Sequence, residues 1–382
     1  MPSVLDDESK LLAIDKSDML GIVEHFPELC VDALNLYKPF TFPKEVRISG
    51  ERLIHYRTPR QVVVTGMGGS AIGGDILKDW LEDRIPIPIQ VNREYHLPAY
   101  ADPSSLVVAV SYSGNTEETL SAYLEAVERG CMTLSLSSGG LLEDFNRRLG
   151  LPHFKLPGGY PPRSAMPYLF LPLMVGLQKL GAIDSFESEV DEAIKVVKEL
   201  REEIKRTTLS GTNPAKQLAV ALKGSLPMVC GYGPFKAIAL RIKTQFNENS
   251  KTPAKVESFS ELNHNETAGW SGAKDITRLF SVILIRSEDE PPEIRARIEL
   301  TRRLIFDEGA HKVLEIRTRG DGRLAKMLSA MYIGDSASVY LGILKGFDPT
   351  PIPVIEELKR QLEMRVNKTS ELKKRIERLV ST

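Results

Sequence analysis

The segment 111–116 has the residue types that bind a phosphate group. It reads Ser-Tyr-Ser-Gly-Asn-Thr, so three small hydroxyl groups surround a glycine that lets a ligand approach the backbone. A dianionic phosphate is held by such donors together with backbone amides at the start of a helix. A second small, hydroxyl-bearing turn occurs at 69–70. One such turn alone more often only caps a helix, so the prediction needs both. The candidate phosphate ligands are Gly69, Ser70, Ser111, Ser113 and Thr116.

Both turns follow predicted strands and precede predicted helices. The runs Gln61-Val-Val-Val-Thr-Gly66 and Leu106-Val-Val-Ala-Val110 indicate buried strands, and helices are predicted over 72–82 and 116–129. Parallel strands bring their carboxyl ends to one edge of a sheet, where open α/β sheets bind ligands. The alternation of strands and helices predicts an α/β fold with a mainly parallel sheet covered on both faces.

The pattern restarts near residue 205. Pro227-Met-Val-Cys-Gly-Tyr-Gly233 mirrors Val62-Val-Val-Thr-Gly-Met-Gly68, which indicates two related α/β halves. The second half lacks a counterpart of the hydroxyl-rich loop, because Ile285 is followed by the acidic run Arg-Ser-Glu-Asp-Glu-Pro-Pro. The charged stretch 187–206 is predicted to be a connecting helix. We expect a helical segment at 1–45, a first domain at 46–185, a second at 205–360 and a charged helix at 361–382.

Composition restricts the class of partner. The 50 Lys and Arg residues nearly cancel the 51 Asp and Glu residues, so no broad surface for nucleic acid or an anionic membrane is expected. No window approaches about 18 uninterrupted apolar residues, so no membrane span is expected either. The three cysteines are far apart and form no Cys/His cluster. We therefore expect reduced thiols, no metal site and a cytoplasmic protein without a leader peptide.

The glycines around the first strand also permit a nucleotide-binding interpretation. Gly66-Met-Gly68 resembles the start of the G-x-G-x-x-G fingerprint, but Ala71 occupies the third glycine position. No convincing acidic residue follows at the ribose-binding distance, and no GxxxxGK[ST] loop is present. No nucleotide or other cofactor is therefore expected.

Longer segments of the chain resemble a known family. Val64–Asp75 and Ser111–Thr119 resemble the two phosphate-side segments of sugar isomerase (SIS) domains. Arg241–Lys251, Glu261–Glu266 and Asp348–Lys359 are similar to segments of the archaeal and bacterial bifunctional phosphoglucose/phosphomannose isomerases, in the family's order. The resemblance covers roughly residues 45–360. It implies two SIS-type doubly wound, mainly parallel sheet domains with flanking helices.

The resemblance also implies roles for a carboxylate and a histidine. Glu248 matches the family's base, which moves a proton between two adjacent carbons, and it ends a predicted helix whose dipole disfavours negative charge. His264 matches the histidine that exchanges a proton with the ring oxygen. In related isomerases this histidine comes from the neighbouring subunit, so a homodimer is implied. The other five histidines are expected to be structural.

Three further residues carry roles implied by the resemblance. Lys359 resembles the C-terminal lysine that assists ring opening, and Arg163, in Pro161-Pro-Arg-Ser-Ala, matches an arginine held over the substrate. Its fixed charge suits stabilisation of an enediolate. Thr350 matches a threonine that leaves room for rotation about C2–C3 and so for both C2 epimers.

The resemblance therefore implies a metal-independent aldose–ketose isomerisation of hexose 6-phosphates. Glucose 6-phosphate and mannose 6-phosphate would be converted to fructose 6-phosphate by ring opening and a cis-enediol, with no cofactor. Two alternatives stay open at this stage. One is a non-catalytic sugar-phosphate sensor on the same scaffold, and the other is a different SIS-fold enzyme, such as an amino-sugar phosphate or arabinose phosphate isomerase.

Overall fold

The computed structural model describes residues 4–49 and 52–381. These residues form two compact units, which we name by the size of their parallel sheets. The four-stranded unit contains residues 4–27 and 186–351, and the five-stranded unit contains residues 28–185 and 352–381. The predicted domains 46–185 and 205–360 contain all the strands of the two parallel sheets.

Within the described residues, the strands are β1 (Glu45–Ser49), β2 (Arg52–His55), β3 (Gln61–Gly66), β4 (Ile89–Asn92), β5 (Ser105–Val110), β6 (Met132–Ser137), β7 (His153–Lys155), β8 (Leu226–Tyr232), β9 (Lys255–Phe259), β10 (Phe280–Arg286) and β11 (Lys312–Arg317). Strands β1 and β2 pair as an antiparallel hairpin. The larger sheet has the order β4-β3-β5-β6-β7 and the smaller one β11-β10-β8-β9, and every pairing in both is parallel.

The α-helices in the same residues are α1 (Glu8–Ile14), α2 (Met19–Glu24), α3 (Phe26–Tyr37), α4 (Gly69–Leu81), α5 (Glu117–Glu128), α6 (Gly140–Leu149), α7 (Met166–Lys179), α8 (Glu187–Ile204), α9 (Pro214–Leu222), α10 (Lys236–Asn249), α11 (Glu266–Gly269), α12 (Lys274–Thr277), α13 (Pro292–Thr301), α14 (Asp307–Gly309), α15 (Arg323–Leu344), α16 (Pro353–Val366) and α17 (Lys368–Ser381). Short 3₁₀ turns and one π-helical turn, Arg302–Phe306, complete the structure.

The predicted doubly wound architecture is confirmed, and the two predicted α/β halves have sheets of the same strand order. Strands β8, β9, β10 and β11 occupy the same places in their sheet as β3, β4, β5 and β6 do in theirs. The central strands form because their residues are apolar or β-branched in unbroken runs, and all six residues of β5 are buried. The predicted helices also agree closely, since the stretch expected at 116–129 forms Glu117–Glu128.

Helix α15 is the core helix of the four-stranded unit. Its residues are apolar nearly all the way round, which is typical of a helix buried on every side. It is the one helix in the described part of the chain that is long and apolar enough to cross a membrane. However, 94% of its apolar window is buried inside the protein.

The expectation of a single charged helix at 361–382 is wrong for the described residues. Helix α16 ends at Val366 because Asn367 adopts the left-handed conformation (φ 49°), and α17 begins at Lys368. Asparagine tolerates this conformation better than most residues. Helix α17 buries Leu372, Ile376 and Leu379, and the bidentate contact from Arg148 to Glu377 is one of the ion pairs that hold it within the five-stranded unit.

Candidate functional site

Two helix N-termini meet at one edge of the five-stranded sheet. Strands β3 and β5 are parallel neighbours in register, with Gly66 opposite Val110 at their carboxyl ends. Helix α4 begins at Gly69 and helix α5 at Glu117, each a few residues after its strand. The positive ends of two helix dipoles therefore point to the same edge, an arrangement that attracts an anion.

The two predicted turns are joined by hydrogen bonds. The amide of Tyr112 donates to the hydroxyl of Ser70 at 3.2 Å. The hydroxyls of Ser111 and Thr116 lie 2.9 Å apart, and the amide of Thr116 donates to Ser111 Oγ at 3.4 Å. Ser70 and Ser111 are buried, and Thr116 is half-buried. The structure thus brings together the hydroxyls that the sequence analysis placed on separate turns.

The middle of the loop turns outward. Ser113 is exposed, and its hydroxyl accepts from the amide of Asn115 at 3.3 Å. Gly114 has φ +71°, a conformation that side chains rarely adopt, and its amide donates to the carbonyl of Ser111 at 2.9 Å. Asn115 accepts from the amide of Leu141 at 3.0 Å, which fixes the loop against α6. The loop is therefore held in shape by its own contacts.

Arg163 lies against the same turn. A Cβ atom placed on Gly69 would be 3.3 Å from the Cα atom of Arg163, so the two backbones touch. The Arg163 side chain is only 4% exposed. The backbone of this buried arginine, the residue that the family resemblance places over the substrate, thus lies beside the start of α4.

Lys359 lies on α16, in the same unit, and is exposed. Glu363, one turn further along that helix, is close enough to Glu117 to act on its ionisation. Burial raises the pKa of Glu117, and the nearby charge of Glu363 raises it further, while a 3.2 Å hydrogen bond from Tyr95 opposes the rise. The side of α16 that carries Lys359 and Glu363 therefore faces the start of α5.

In the four-stranded unit, a buried polar ladder fixes the helix that carries Glu248. The guanidinium of Arg241 on α10 donates to Asp335 on α15 at 2.7 and 3.1 Å. Two turns later, Asn249 donates to Ser338 of α15 at 2.9 Å and to Gln245 at 3.2 Å. Burial raises the pKa of Asp335, and the charge of Arg241 opposes that rise. Partners on both helices prevent α10 from rotating about its axis.

Glu248 is half-buried in the last turn of α10. The ammonium group of Lys251 donates to the carbonyl of Glu248 at 2.5 Å and to the carbonyl of Pro349 at 2.9 Å. Thr350 follows directly and is half-buried, and its amide donates to Asp348 at 3.1 Å. Lys251 thus holds the end of α10 next to the loop that contains Thr350.

A close helix contact supports the same arrangement. A Cβ atom at Gly342 of α15 would lie 2.6 Å from the carbonyl oxygen of Asn249, closer than real Cβ atoms approach. Glycine at this position therefore allows the end of α10 to approach α15.

His264 lies in a polar loop of the same unit and is exposed. Its neighbours are held in place: Asn263 donates to Thr301 at 2.7 Å, and Asn265 donates to Glu261 at 2.6 Å. Glu266 pairs with Lys255 and accepts from the indole of Trp270 at 3.0 Å. The loop is ordered by these flanking contacts, and the imidazole is displayed at the surface.

The described residues contain no group of three or more His, Cys, Asp or Glu side chains that could hold a metal ion. Cys30, Cys131 and Cys230 are free and buried within the same residues, as the sequence indicated. Sequence reasoning missed Lys251, the Arg241–Asp335 pair and Glu363. For Lys251 a signal existed, since it ends the segment on which the family resemblance rests, but no pattern linked it to Pro349.

Comparisons with known proteins agree with this description. Residues 211–362 match the family model of the bacterial phospho-glucose isomerase C-terminal SIS domain. A bifunctional phosphoglucose/phosphomannose isomerase from Caldicellulosiruptor bescii is 42% identical over 79% of this chain and 89% of its own. The protein of the same description from Aquifex aeolicus is 34% identical over 79% and 90%. A D-glucosamine-6-phosphate 4-epimerase from Sulfolobus acidocaldarius is 32% identical, but over only 55% of this chain and 64% of its own.

Solved structures support the fold. A glucose-6-phosphate isomerase like protein from Thermus thermophilus superposes with a TM-score of 0.60 over 94% of this chain and 99% of its own, at 18% identity. The C-terminal domain of a glucosamine-fructose-6-phosphate aminotransferase from Francisella tularensis gives 0.59 over 87% and 97%, at 15% identity. At such low identity these likenesses show a shared architecture.

Proposed function

The chain belongs to the family of bifunctional phosphoglucose/phosphomannose isomerases, and from this premise we propose that it interconverts the 6-phosphates of glucose, mannose and fructose. The observation that carries the proposal is the cradle in the five-stranded unit. There Ser70, Ser111 and Thr116 converge at two helix N-termini beside the buried Arg163. A family that acts on sugar phosphates needs such a site for the phosphoryl group.

The proposed chemistry moves one proton between two carbons. After ring opening, the carboxylate of Glu248 removes the proton from C2 of the aldose while O1 gains a proton, which gives a cis-enediol. Return of a proton to C1 and loss of the O2 proton give the ketose, so atoms and electrons balance without a redox step. The reaction needs neither metal nor cofactor. Arg163 would stabilise the negative charge of the enediolate.

Ring opening requires an acid and a base near the ring oxygen and O1. We assign this step to His264 and Lys359, both of which are exposed. A surface imidazole on an ordered loop is well suited to complete the site of a neighbouring subunit, so the proposal includes a homodimer with His264 donated across the interface. The free, buried cysteines agree with the reducing cytoplasm that the proposal assumes.

Thr350 is proposed to permit both C2 epimers. Its place beside Pro349, which Lys251 ties to the end of α10, supports a position near the reacting carbons. Substitution by the longer glutamine should restrict rotation about C2–C3. We expect Thr350→Gln to lose activity on mannose 6-phosphate more than on glucose 6-phosphate in parallel assays. Equal losses on the two substrates would contradict this role.

The central test is Glu248→Gln. The amide preserves size but accepts no proton, so kcat on fructose 6-phosphate should fall by about 10³-fold or more while substrate affinity changes little. Coupled assays give kcat, and calorimetric titration of the variant with fructose 6-phosphate gives the affinity. The matched control is Glu293→Gln, which makes the same substitution at an exposed glutamate on α13 of the same unit. Turnover that survives in Glu248→Gln would remove the proposed base.

Complementation tests the shared site. Glu248→Gln and His264→Ala are each expected to be inactive, but mixed dimers contain one site with an intact Glu248 and an intact His264. If subunits assort randomly, about a quarter of the wild-type activity should return, since half of the dimers are mixed and one of their two sites is intact. No recovery in mixed dimers would place both residues in the same subunit.

A second candidate reaction is C4 epimerisation of glucosamine 6-phosphate. It is favoured only by the similarity to the D-glucosamine-6-phosphate 4-epimerase over 55% of this chain. The same purified protein should be offered glucosamine 6-phosphate beside the hexose 6-phosphates. Exclusive turnover of the amino sugar would replace the isomerase proposal.

A further inference from the structure

Helix α16 exposes a regular row of apolar side chains. None of its residues is buried, and Val354, Leu358, Leu362 and Val366 are 81%, 58%, 43% and 62% exposed. These four residues are spaced by four, so they form one continuous ridge that advances by about 40° per step round the helix. A contiguous apolar patch of this kind on a folded chain marks an interaction surface more often than an accident of composition.

The order of residue types along the ridge is the same in both directions. Its order is Val, Leu, Leu, Val, with Arg360 at the midpoint in sequence. A two-fold axis turns one copy of a helix antiparallel to the other, and an isologous contact requires a surface that matches itself under that rotation. Reversal places Leu358 opposite Leu362 of a second copy and Val354 opposite Val366. The rows of two such helices align when the helices cross at about −50°, the commonest packing angle.

The charges beside the ridge are also compatible with antiparallel pairing. One flank of the ridge carries the exposed Glu357 and Arg365 and, between them, the half-buried Gln361. In the register that places Leu358 opposite Leu362, Glu357 lies between Gln361 and Arg365 of the second copy, so its carboxylate has a guanidinium of opposite charge within reach. The helix as a whole has no net charge that would repel a second copy. Its three acidic and three basic residues are Glu356, Glu357, Glu363, Lys359, Arg360 and Arg365.

The other flank of the ridge is turned toward the subunit itself. Glu363 accepts a hydrogen bond from Thr369 of α17 at 2.9 Å and lies close to Glu117. Lys359 is one turn before Glu363 on that flank. Lys359 and Glu363 thus border the ridge on the flank that is turned toward the subunit itself.

We propose that the Val354–Leu358–Leu362–Val366 ridge is the contact through which α16 pairs antiparallel with α16 of a second copy of this chain, about a two-fold axis that passes between Leu358 and Leu362. The inference makes the proposed homodimer specific, but its tests measure mass and cross-linking and do not depend on the isomerase activity. Pairing would remove four exposed apolar residues per subunit from water.

The first test is the oligomeric state of the full chain. Light scattering after gel filtration should give twice the 42.5 kDa chain mass. The double variant Leu358→Glu/Leu362→Glu should dissociate at the same concentration, with a dimer dissociation constant raised by more than about a hundredfold, since each dimer gains four buried charges. No buried residue is changed, so thermal unfolding should confirm that the subunit stays folded.

The matched control is Met364→Glu. Met364 is on the same helix and is 69% exposed, but it lies on the face opposite the ridge. This variant should remain a dimer. A monomeric wild type would overturn the proposal, and so would a Leu358→Glu/Leu362→Glu protein that stays dimeric or a Met364→Glu protein that dissociates as readily.

Cross-linking tests the direction of pairing. Leu358→Cys and Leu362→Cys chains with different tags are co-expressed, and disulfide formation is followed after mild oxidation. The native cysteines are buried and should not react. Antiparallel pairing predicts a mixed disulfide between the two kinds of chain in preference to disulfides between like chains. Preferential linkage of Leu358→Cys to itself would show parallel pairing and overturn the proposed axis.

Discussion

The loops that follow equivalent strands of the two sheets differ in the polar groups they carry. Strand β10 holds the same place in the four-stranded sheet as β5 does in the five-stranded sheet. After β5, the hydroxyls of Ser111 and Thr116 contact each other at the start of α5. After β10, the carboxylate of Glu290 folds back and accepts from the amide of Ser287 at 3.0 Å and from the guanidinium of Arg286 at 2.6 and 2.8 Å.

In the four-stranded unit, the loop after β10 therefore binds a carboxylate of the chain itself, that of Glu290. The Glu290 side chain is fully buried, and its hydrogen bond raises the pKa of Arg286. A carboxylate and a phosphate use the same donors at a strand end. The Ser287 amide and the Arg286 guanidinium are already occupied by an internal carboxylate, whereas the loop after β5 presents neutral hydroxyls that can donate to a ligand.

The difference suggests how a duplicated fold divides its tasks. One unit has the open, hydroxyl-lined edge and, in our proposal, anchors the phosphoryl group. The other closes that edge with Glu290 and instead positions Glu248 at the end of α10 through the ladder to α15. Fold and function are separable in this way because function depends on a few residues at the strand and helix ends.

The largest expected effect comes from removing the hydroxyls of the open loop. Ser111→Ala/Thr116→Val deletes two donors to a charged group, each contributing about 1.5–3 kcal/mol, so kcat/KM on fructose 6-phosphate should fall about a thousandfold. The loss should appear mainly in KM. Ser287→Ala, the matched change after β10, should leave kcat/KM unchanged within experimental error. Equal losses of kcat/KM in the two variants would contradict the proposed difference between the two loops.

The second effect is on stability and concerns the closed loop. Glu290→Gln leaves the mostly buried Arg286 without its bidentate partner, and breaking a buried pair in this way costs about 3–5 kcal/mol. Glu315 at 3.6 Å and Glu299 at 3.8 Å still face Arg286, which favours the lower end of that range. Chemical denaturation should show the loss of unfolding free energy. KM should stay at its wild-type value, and an increase in KM would mean that this loop also binds substrate.

Much of the fold was predictable because its signals are local. The strands with unbroken apolar runs were found, and so was the hydroxyl-rich loop, since its donors are neighbours in sequence. Strand β9 was missed because Lys255-Val-Glu-Ser-Phe259 mixes charged and apolar residues at the edge of the sheet. The contact between Arg241 and Asp335 joins residues 94 positions apart, and no periodicity in a single sequence connects two such positions.

The smallest expected effect is on the pH dependence of stability, and it is tested by changing one histidine in each unit. His153, at the start of β7, contacts Ser135 Oγ at 2.7 Å, and burial lowers its pKa from 6.5 to about 4. The folded state therefore disfavours the protonated ring, and this contribution to stability is complete above pH 6.5 and is lost as the pH falls toward 4. At pH 5 the loss should be about 2 kcal/mol relative to pH 8.

The comparison residue is His311, which lies next to β11 and is exposed. Unfolding free energies from denaturant titrations should depend less steeply on pH between 6.5 and 4 in His153→Gln than in the wild type, whereas His311→Gln should follow the wild type. A wild-type slope in His153→Gln would show that the acid sensitivity of the five-stranded unit has another source.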